Sequence, residues 1–145
     1  MQKLGPEELG DLLDQPLVAV LATYRKDGGV LLSPVWHRWR DGGFDVVVYA
    51  TDIKLQHLRR DPRASIVVYE HEPPYRGLEV RGEARLLQDG AAEAISSMAV
   101  RYLGPENGRA YAERISASDS VLVRLEPSQL RGWGFADDMA QFEGG

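Results

Sequence analysis

Phe44-Asp45-Val46-Val47-Val48-Tyr49-Ala50-Thr51-Asp52-Ile53-Lys54 is the stretch on which the fold turns. Its first seven residues are nearly all apolar and rich in β-branched side chains, the pattern of a strand buried on both faces. Thr51 or Asp52 then caps a short helix carrying Ile53, Leu55 and Leu58, which Asp61-Pro62 stops. A strand that runs straight into a helix leaves the first helical N–H groups free, here beside the Thr51 hydroxyl and the Lys54 ammonium. That is the composition of a phosphate site. The same residues also read as a capped helix with a solvated lysine, and Asp52 in that turn repels an anion.

Working outward, Leu17 to Arg25, the turn Lys26-Asp27-Gly28-Gly29 and Val30 to Arg40 read as a β-hairpin. Asp41-Gly42-Gly43 is a second turn, so three strands are expected to form a meander. Before them, Leu9, Leu12 and Leu13 predict a short helix over Pro6 to Asp14. After them come a strand from Ala64 to Glu70, a loop at His71-Glu72-Pro73-Pro74, and an alternating strand from Leu78 to Leu87 with a wet outer face. Ile95, Met98, Ala99 and Tyr102 mark one stripe of a helix over Ala91 to Tyr102. Gly104-Pro105 opens a second helical stretch to about Ile115, and Ser120 to Leu125 and Gln129 to Phe135 close the series as strands. Groups of strands broken by short helices, without βαβ alternation, predict a mainly β, antiparallel, Greek-key-related barrel.

At 145 residues the chain suits one domain spanning 1–145. It has no cysteine, which removes disulfides and thiolate metal sites and favours the cytoplasm over secretion. Seventeen Lys and Arg against 22 Asp and Glu give a net charge of −5, which argues against nucleic-acid binding. Arg59, Arg60 and Arg63 read as a solvated helix end or a phosphate site. The apolar runs Leu17 to Ala22 and Val46 to Ala50 are too short to span a membrane, and the N-terminus lacks the pattern of a secretion signal. His37, His57 and His71 stand apart on different elements, so no metal site is expected. A G-x-S-x-G elbow, a P-loop and G-x-G-x-x-G are all missing, and Gly132-Trp133-Gly134 keeps only a fragment of the last. Glu7-Glu8 and Asp137-Asp138 fall where solvent is expected.

Five short motifs in order carry a resemblance: Leu21-Ala22-Thr23, Pro34-Val35-Trp36, Lys54 to Leu58, Arg60-Asp61-Pro62-Arg63 and Val80-Arg81-Gly82-Glu83-Ala84. With the order of elements from Leu9 to Leu130, they resemble the pyridoxamine-phosphate-oxidase-like split β-barrel family, including its deazaflavin-dependent branch. The resemblance implies an FMN-binding-like split barrel that pairs as a homodimer, with a cofactor in the groove between subunits. It places the cofactor's phosphate at Lys54, its ring along Pro34, Val35 and Trp36, and its tail beside Ala50 and Thr51. The partner is expected to bring Tyr75, Arg76 and Arg81, with Trp133 covering the site.

The same side chains carry plainer readings: Trp36 and Trp39 as barrel or dimer packing, Arg81 as an outward strand residue, His37 as structural. Three departures stand out, one of them a loop after the third strand that is shorter than the resemblance implies. Relatives often have Ser-Arg before the lysine where this chain has Asp52-Ile53, and Gln129 to Phe135 differs from the Arg-Leu-rich ending of pyridoxamine phosphate oxidases. The resemblance implies hydride transfer to or from a small organic substrate on coenzyme F420, slightly favoured, or on FMN. Alternatives are a non-catalytic flavin, deazaflavin or heme carrier or sensor, and a pyridoxamine 5'-phosphate oxidase-like FMN oxidase. The sequence names no catalytic residue, with Tyr75 or Arg76 the expected aid to proton delivery.

Overall fold

The computed structural model describes residues 1–115 and 119–143. The strands in chain order are β1 (Gln2–Leu4), β2 (Ala19–Tyr24), β3 (Val30–Val35), β4 (Arg38–Arg40), β5 (Gly43–Tyr49), β6 (Arg63–Tyr69), β7 (Gly77–Leu87), β8 (Ser120–Leu125) and β9 (Gln129–Gly134). The helices are α1 (Ile53–Arg60), α2 (Ala91–Leu103), α3 (Pro105–Arg114) and α4 (Ala136–Glu143). Strands follow one another in space as β3-β2-β6-β7-β8-β5-β4, with β9 paired to both β1 and β7. Every pairing is antiparallel. The result is a split β-barrel with short helices.

Two turns behave as their residues dictate. Gly28 sits at φ +86° in the β2–β3 turn, and Asp41 and Gly42 at φ +48° and +74° close the β4–β5 hairpin, the positive-φ pair such a tight turn requires. The three-strand meander does not form. β3 pairs with β2, whereas β5 pairs with β4 and β8, because the expected Val30 to Arg40 strand breaks at Trp36-His37 and crosses between the two halves of the barrel. His37 causes the break. Its ring is fully buried, edge-on to Phe44, and its backbone N–H donates to the Tyr102 hydroxyl at 3.1 Å instead of to a neighbouring strand.

The expected helix over Pro6 to Asp14 is also replaced, by two 3-10 turns at Pro6–Glu8 and Leu12–Asp14. Gly10 at φ +61° interrupts it, which lets Leu9 and Leu12 both plug the barrel at 0% exposure. The eleven-residue β7 is shared by both halves, pairing with β6 through Glu83 and with β8 from Ala84. The crossing passes at Gly82, where a Cβ would lie 2.3 Å from the Glu126 carbonyl oxygen. Only glycine fits that approach.

β5 is buried on both faces, as its apolar run predicts. Phe44, Val46 and Val48 enter the barrel core with Leu21, Ile66, Leu78, Val80 and Val123. On the other face, Val47 joins a second cluster in which Ala91, Ala94 and Met98 of α2 pack against Leu122 of β8. The fully buried Asp45 shares that outer face and accepts from Arg38 at 2.9 Å, Arg40 at 2.8 Å and Arg124 at 3.2 Å. Burial opposes its charge, but the three guanidinium groups outweigh burial and hold the carboxyl below its ordinary range. Arg124 also donates to the Arg40 and Asp41 carbonyls, tying the hairpin turn to β8. No helix among the described residues is long and apolar enough to cross a membrane.

Candidate functional site

At the β5–α1 junction the cap is Asp52 and not Thr51, which stays exposed. One carboxylate oxygen of Asp52 accepts from the Lys54 backbone N–H at 2.9 Å, and the other from the Lys54 ammonium at 2.7 Å. Partial burial works against the Asp52 charge, but these hydrogen bonds win and hold its carboxyl below the usual range. Lys54 is therefore already paired within its own turn.

Beside this corner opens a cleft of about 270 Å³. Its base is the outer side of the β5–β8 ladder, through Val47, Tyr49 and Ser120. Pro34, Val35 and Trp36 at the end of β3 make one wall, and Ile95, Met98 and Tyr111 of the helical hairpin make the other. Asp52 and Lys54 line its edge, and Val48 and Ile115 complete the lining. Trp36 stacks on Tyr102 at 4.9 Å with planes 7° apart, and meets Tyr111 at 5.3 Å and 53°. A hydrogen bond to Tyr49, and then burial, push the Tyr111 phenol above its ordinary pKa.

Behind this wall, Tyr102 donates its hydroxyl to the Leu17 carbonyl at 2.7 Å, and Arg101 donates to the His37 carbonyl. Among the described residues neither ring nitrogen of His37 makes a well-formed hydrogen bond, the Leu17 backbone offering only a weak one. Burial, then the Arg101 charge, push that imidazole down to about 3. Trp39 packs edge-on against Phe44 at 4.9 Å, in the barrel core. His57 bonds Thr23 at 3.0 Å under α1, and His71 lies edge-on to Tyr69 at 5.4 Å. Among the described residues no three His, Cys, Asp or Glu side chains gather to hold a metal ion.

Of the residues singled out from sequence, Pro34, Val35, Trp36 and Lys54 meet in this cleft. Ala50 and Thr51 flank it, exposed, between Tyr49 and Asp52. Tyr75, Arg76, Arg81 and Trp133 do not line it within the same chain. Tyr75 is exposed at φ +54°. The Arg76 guanidinium is committed to Glu70 at 2.8 Å, Asp11 at 2.9 Å and the Leu9 carbonyl at 2.7 Å. Arg81 is exposed and pairs with Glu79 at 3.1 Å. Trp133 covers Gly77, with the Arg131 guanidinium 4.7 Å above its ring. Sequence reading missed Tyr49, Ile95, Met98 and Tyr111 as lining. Ile95 and Met98 were visible only as a packing stripe, and nothing in the sequence links Tyr111 to Tyr49.

The family model described as pyridoxamine 5'-phosphate oxidase matches residues 6–134. The chain belongs to this family. Solved structures share the split-barrel fold. A conserved hypothetical protein from Mycobacterium tuberculosis is 24% identical with a TM-score of 0.79, over 92% of this chain and 86% of that one. An F420 reductase is 26% identical with a TM-score of 0.72, over 87% of this chain and 98% of that one. The heme storage protein of Vibrio cholerae shares the fold at 21% identity and a TM-score of 0.66, over 89% of this chain and 94% of that one. No curated protein matches the chain by sequence.

Proposed function

We propose that this member of the pyridoxamine 5'-phosphate oxidase family is an oxidoreductase that holds coenzyme F420 or FMN in the Trp36–Lys54 cleft of a homodimer. The observation that carries the reading is the meeting of Pro34-Val35-Trp36 and Lys54 on one cleft. This lining fits a planar heteroaromatic ring with an anionic tail: an aromatic and aliphatic trough with a cation at its edge. The similarity to an F420 reductase supports the deazaflavin.

When bound, the cofactor supplies a hydride to an electron-poor carbon, or accepts one from a reduced substrate. The protein's share is orientation and exclusion of water. Val35 and Trp36 offer apolar surface to a ring, and the stack on Tyr102 keeps the indole in place. Lys54 offers a cation to the tail. Tyr49 and Tyr111 place hydroxyl groups on the lining, and the hydrogen bond between them holds the Tyr111 phenol above its ordinary range.

The outer face of the β3–β2–β6 sheet supports the dimer. Val30, Leu32 and Pro34 stand in one row on β3, beside Val20 and Ala22 of β2 and Val67 and Tyr69 of β6. Leu32 is 65% exposed and Val30 47%. A contiguous apolar sheet face of this kind marks an association site. Because Pro34 belongs both to this row and to the cleft, a second copy seated there would close the open side. That copy is the proposed source of Tyr75, Arg76, Arg81 and Trp133.

A carrier role is the second reading. It is favoured by one observation: apart from Asp52, which Lys54 occupies, the described lining holds no carboxylate, imidazole or thiol to act as a base. Turnover separates the two. The purified protein is titrated with F420, FMN and hemin, then given reduced cofactor with a panel of quinones and enones. Oxidation that requires both protein and acceptor supports the enzyme, whereas tight binding without oxidation of any acceptor supports the carrier.

A further inference from the structure

Asp52 does more at the cleft corner than cap a helix. Asn and Ser cap as well as Asp does, so the helix does not require a charge at this position. The charge nonetheless sits where an anionic tail would be gripped, with one oxygen on the Lys54 N–H at 2.9 Å and the other on its ammonium at 2.7 Å. Asp52 offsets the Lys54 charge, so the corner's net charge is little more than the partial positive charge of the α1 N-terminus, while the ammonium keeps N–H groups to offer a tail. The remaining polar neighbours on the lining, Tyr49, Tyr111 and Ser120, are uncharged hydroxyl residues.

We propose that Asp52 selects the cofactor by charge, turning away a doubly charged phosphomonoester and admitting a singly charged phosphodiester. The proposal rests on the cofactor reading above and sharpens it. A flavin mononucleotide ends in a monoester, which carries nearly two charges above about pH 7 because its second ionisation lies near pH 6. A deazaflavin of the F420 type carries a diester, with one. The second charge of the monoester meets the Asp52 carboxylate at ion-pair range in a partly desolvated corner. There one extra like-charge contact costs roughly tenfold or more in affinity.

The test holds the ring constant and varies the phosphate. Flavin and 5-deazaflavin are each used as the free alcohol, the 5'-monoester and the 4',5'-cyclic diester, and bound at about pH 8, where the monoester is doubly charged. Dissociation constants come from fluorescence titration of the wild type, Asp52→Asn and Asp52→Ser. In the wild type the monoester should bind roughly tenfold more weakly than the cyclic diester. In both variants that gap should close, with thermal stability retained because each replacement still caps α1. If the alcohols bind but the monoester-to-diester ratio is the same in all three proteins, charge selection by Asp52 is wrong while the cleft assignment stands. If no member of either series binds, the cleft assignment itself fails and the selection proposal falls with it.

Discussion

The indole of Trp36 lies flat on the phenol ring of Tyr102, 4.9 Å away and 7° from parallel, and this stack joins the strand crossing to the helical hairpin. The Tyr102 hydroxyl extends the joint by donating to the Leu17 carbonyl at 2.7 Å and accepting from the His37 N–H at 3.1 Å. Packing and cleft formation are thus one arrangement, because the indole that seals the second core is also a wall of the cleft. Tyr102→Phe keeps the stack and removes both backbone hydrogen bonds. It should cost about 1–3 kcal/mol of stability in urea unfolding with an unchanged denaturant slope. A variant as stable as wild type would mean that the hydroxyl is not the tie described.

Lys54→Ala tests the cation at the cleft edge. Its ammonium touches Asp52 and is not part of the core, so folding should be little affected. Affinity for F420 should fall by roughly tenfold or more, since a charge-assisted contact is lost and Asp52 is left to repel the tail. Calorimetric titration showing equal affinity in a folded variant would move the tail elsewhere.

His37 sets an acid sensitivity. Its imidazole titrates near 6.5 in the unfolded chain and is pushed down to about 3 in the folded one. Below about pH 6.5 the unfolded state therefore binds the extra proton, and stability falls as pH drops toward the folded value. The stabilisation is fully present above that window. His37→Leu removes this proton uptake. Between about pH 6 and 4.5 its stability should decline less steeply than that of wild type, by about 1 kcal/mol per pH unit. His57, also shifted down by burial, leaves a residual slope. Parallel pH profiles for the two proteins would refute this role.

Leu32→Asp places a charge in the centre of the exposed β3 row without touching the barrel core. Sedimentation at micromolar concentration should report a dimer for wild type and a monomer for the variant, with the folded structure retained. If both are monomers, the apolar face is not a self-association surface.

Much of the fold was legible because it rests on local rules. The apolar run of β5, the positive-φ turns at Gly28 and Asp41-Gly42, and the Asp61-Pro62 stop act within a few residues. The break at Trp36-His37 was not legible, since it depends on His37 finding Phe44 and Tyr102 across the fold. β1 escaped notice because three residues carry no periodicity and gain order only by pairing with β9. α4, with Asp137 and Asp138 in its first turn, read only as exposed polar chain. The cleft was half legible: the motif residues Pro34, Val35, Trp36 and Lys54 stood out, whereas Ile95 and Met98 look the same in sequence whether they face a core or a cavity. The Asp52–Lys54 pairing lay between these cases. The departure from Ser-Arg was visible, but the distance that makes it an ion pair was not.

A crystal structure of the protein grown with F420 decides where the cofactor sits. The expected result is a dimer with the deazaflavin ring beside Pro34, Val35 and Trp36 and the diester phosphate at Lys54, closed over by the second subunit. A ring bound away from this cleft, or a cleft filled by the neighbouring subunit's side chains in the dimer, would contradict it.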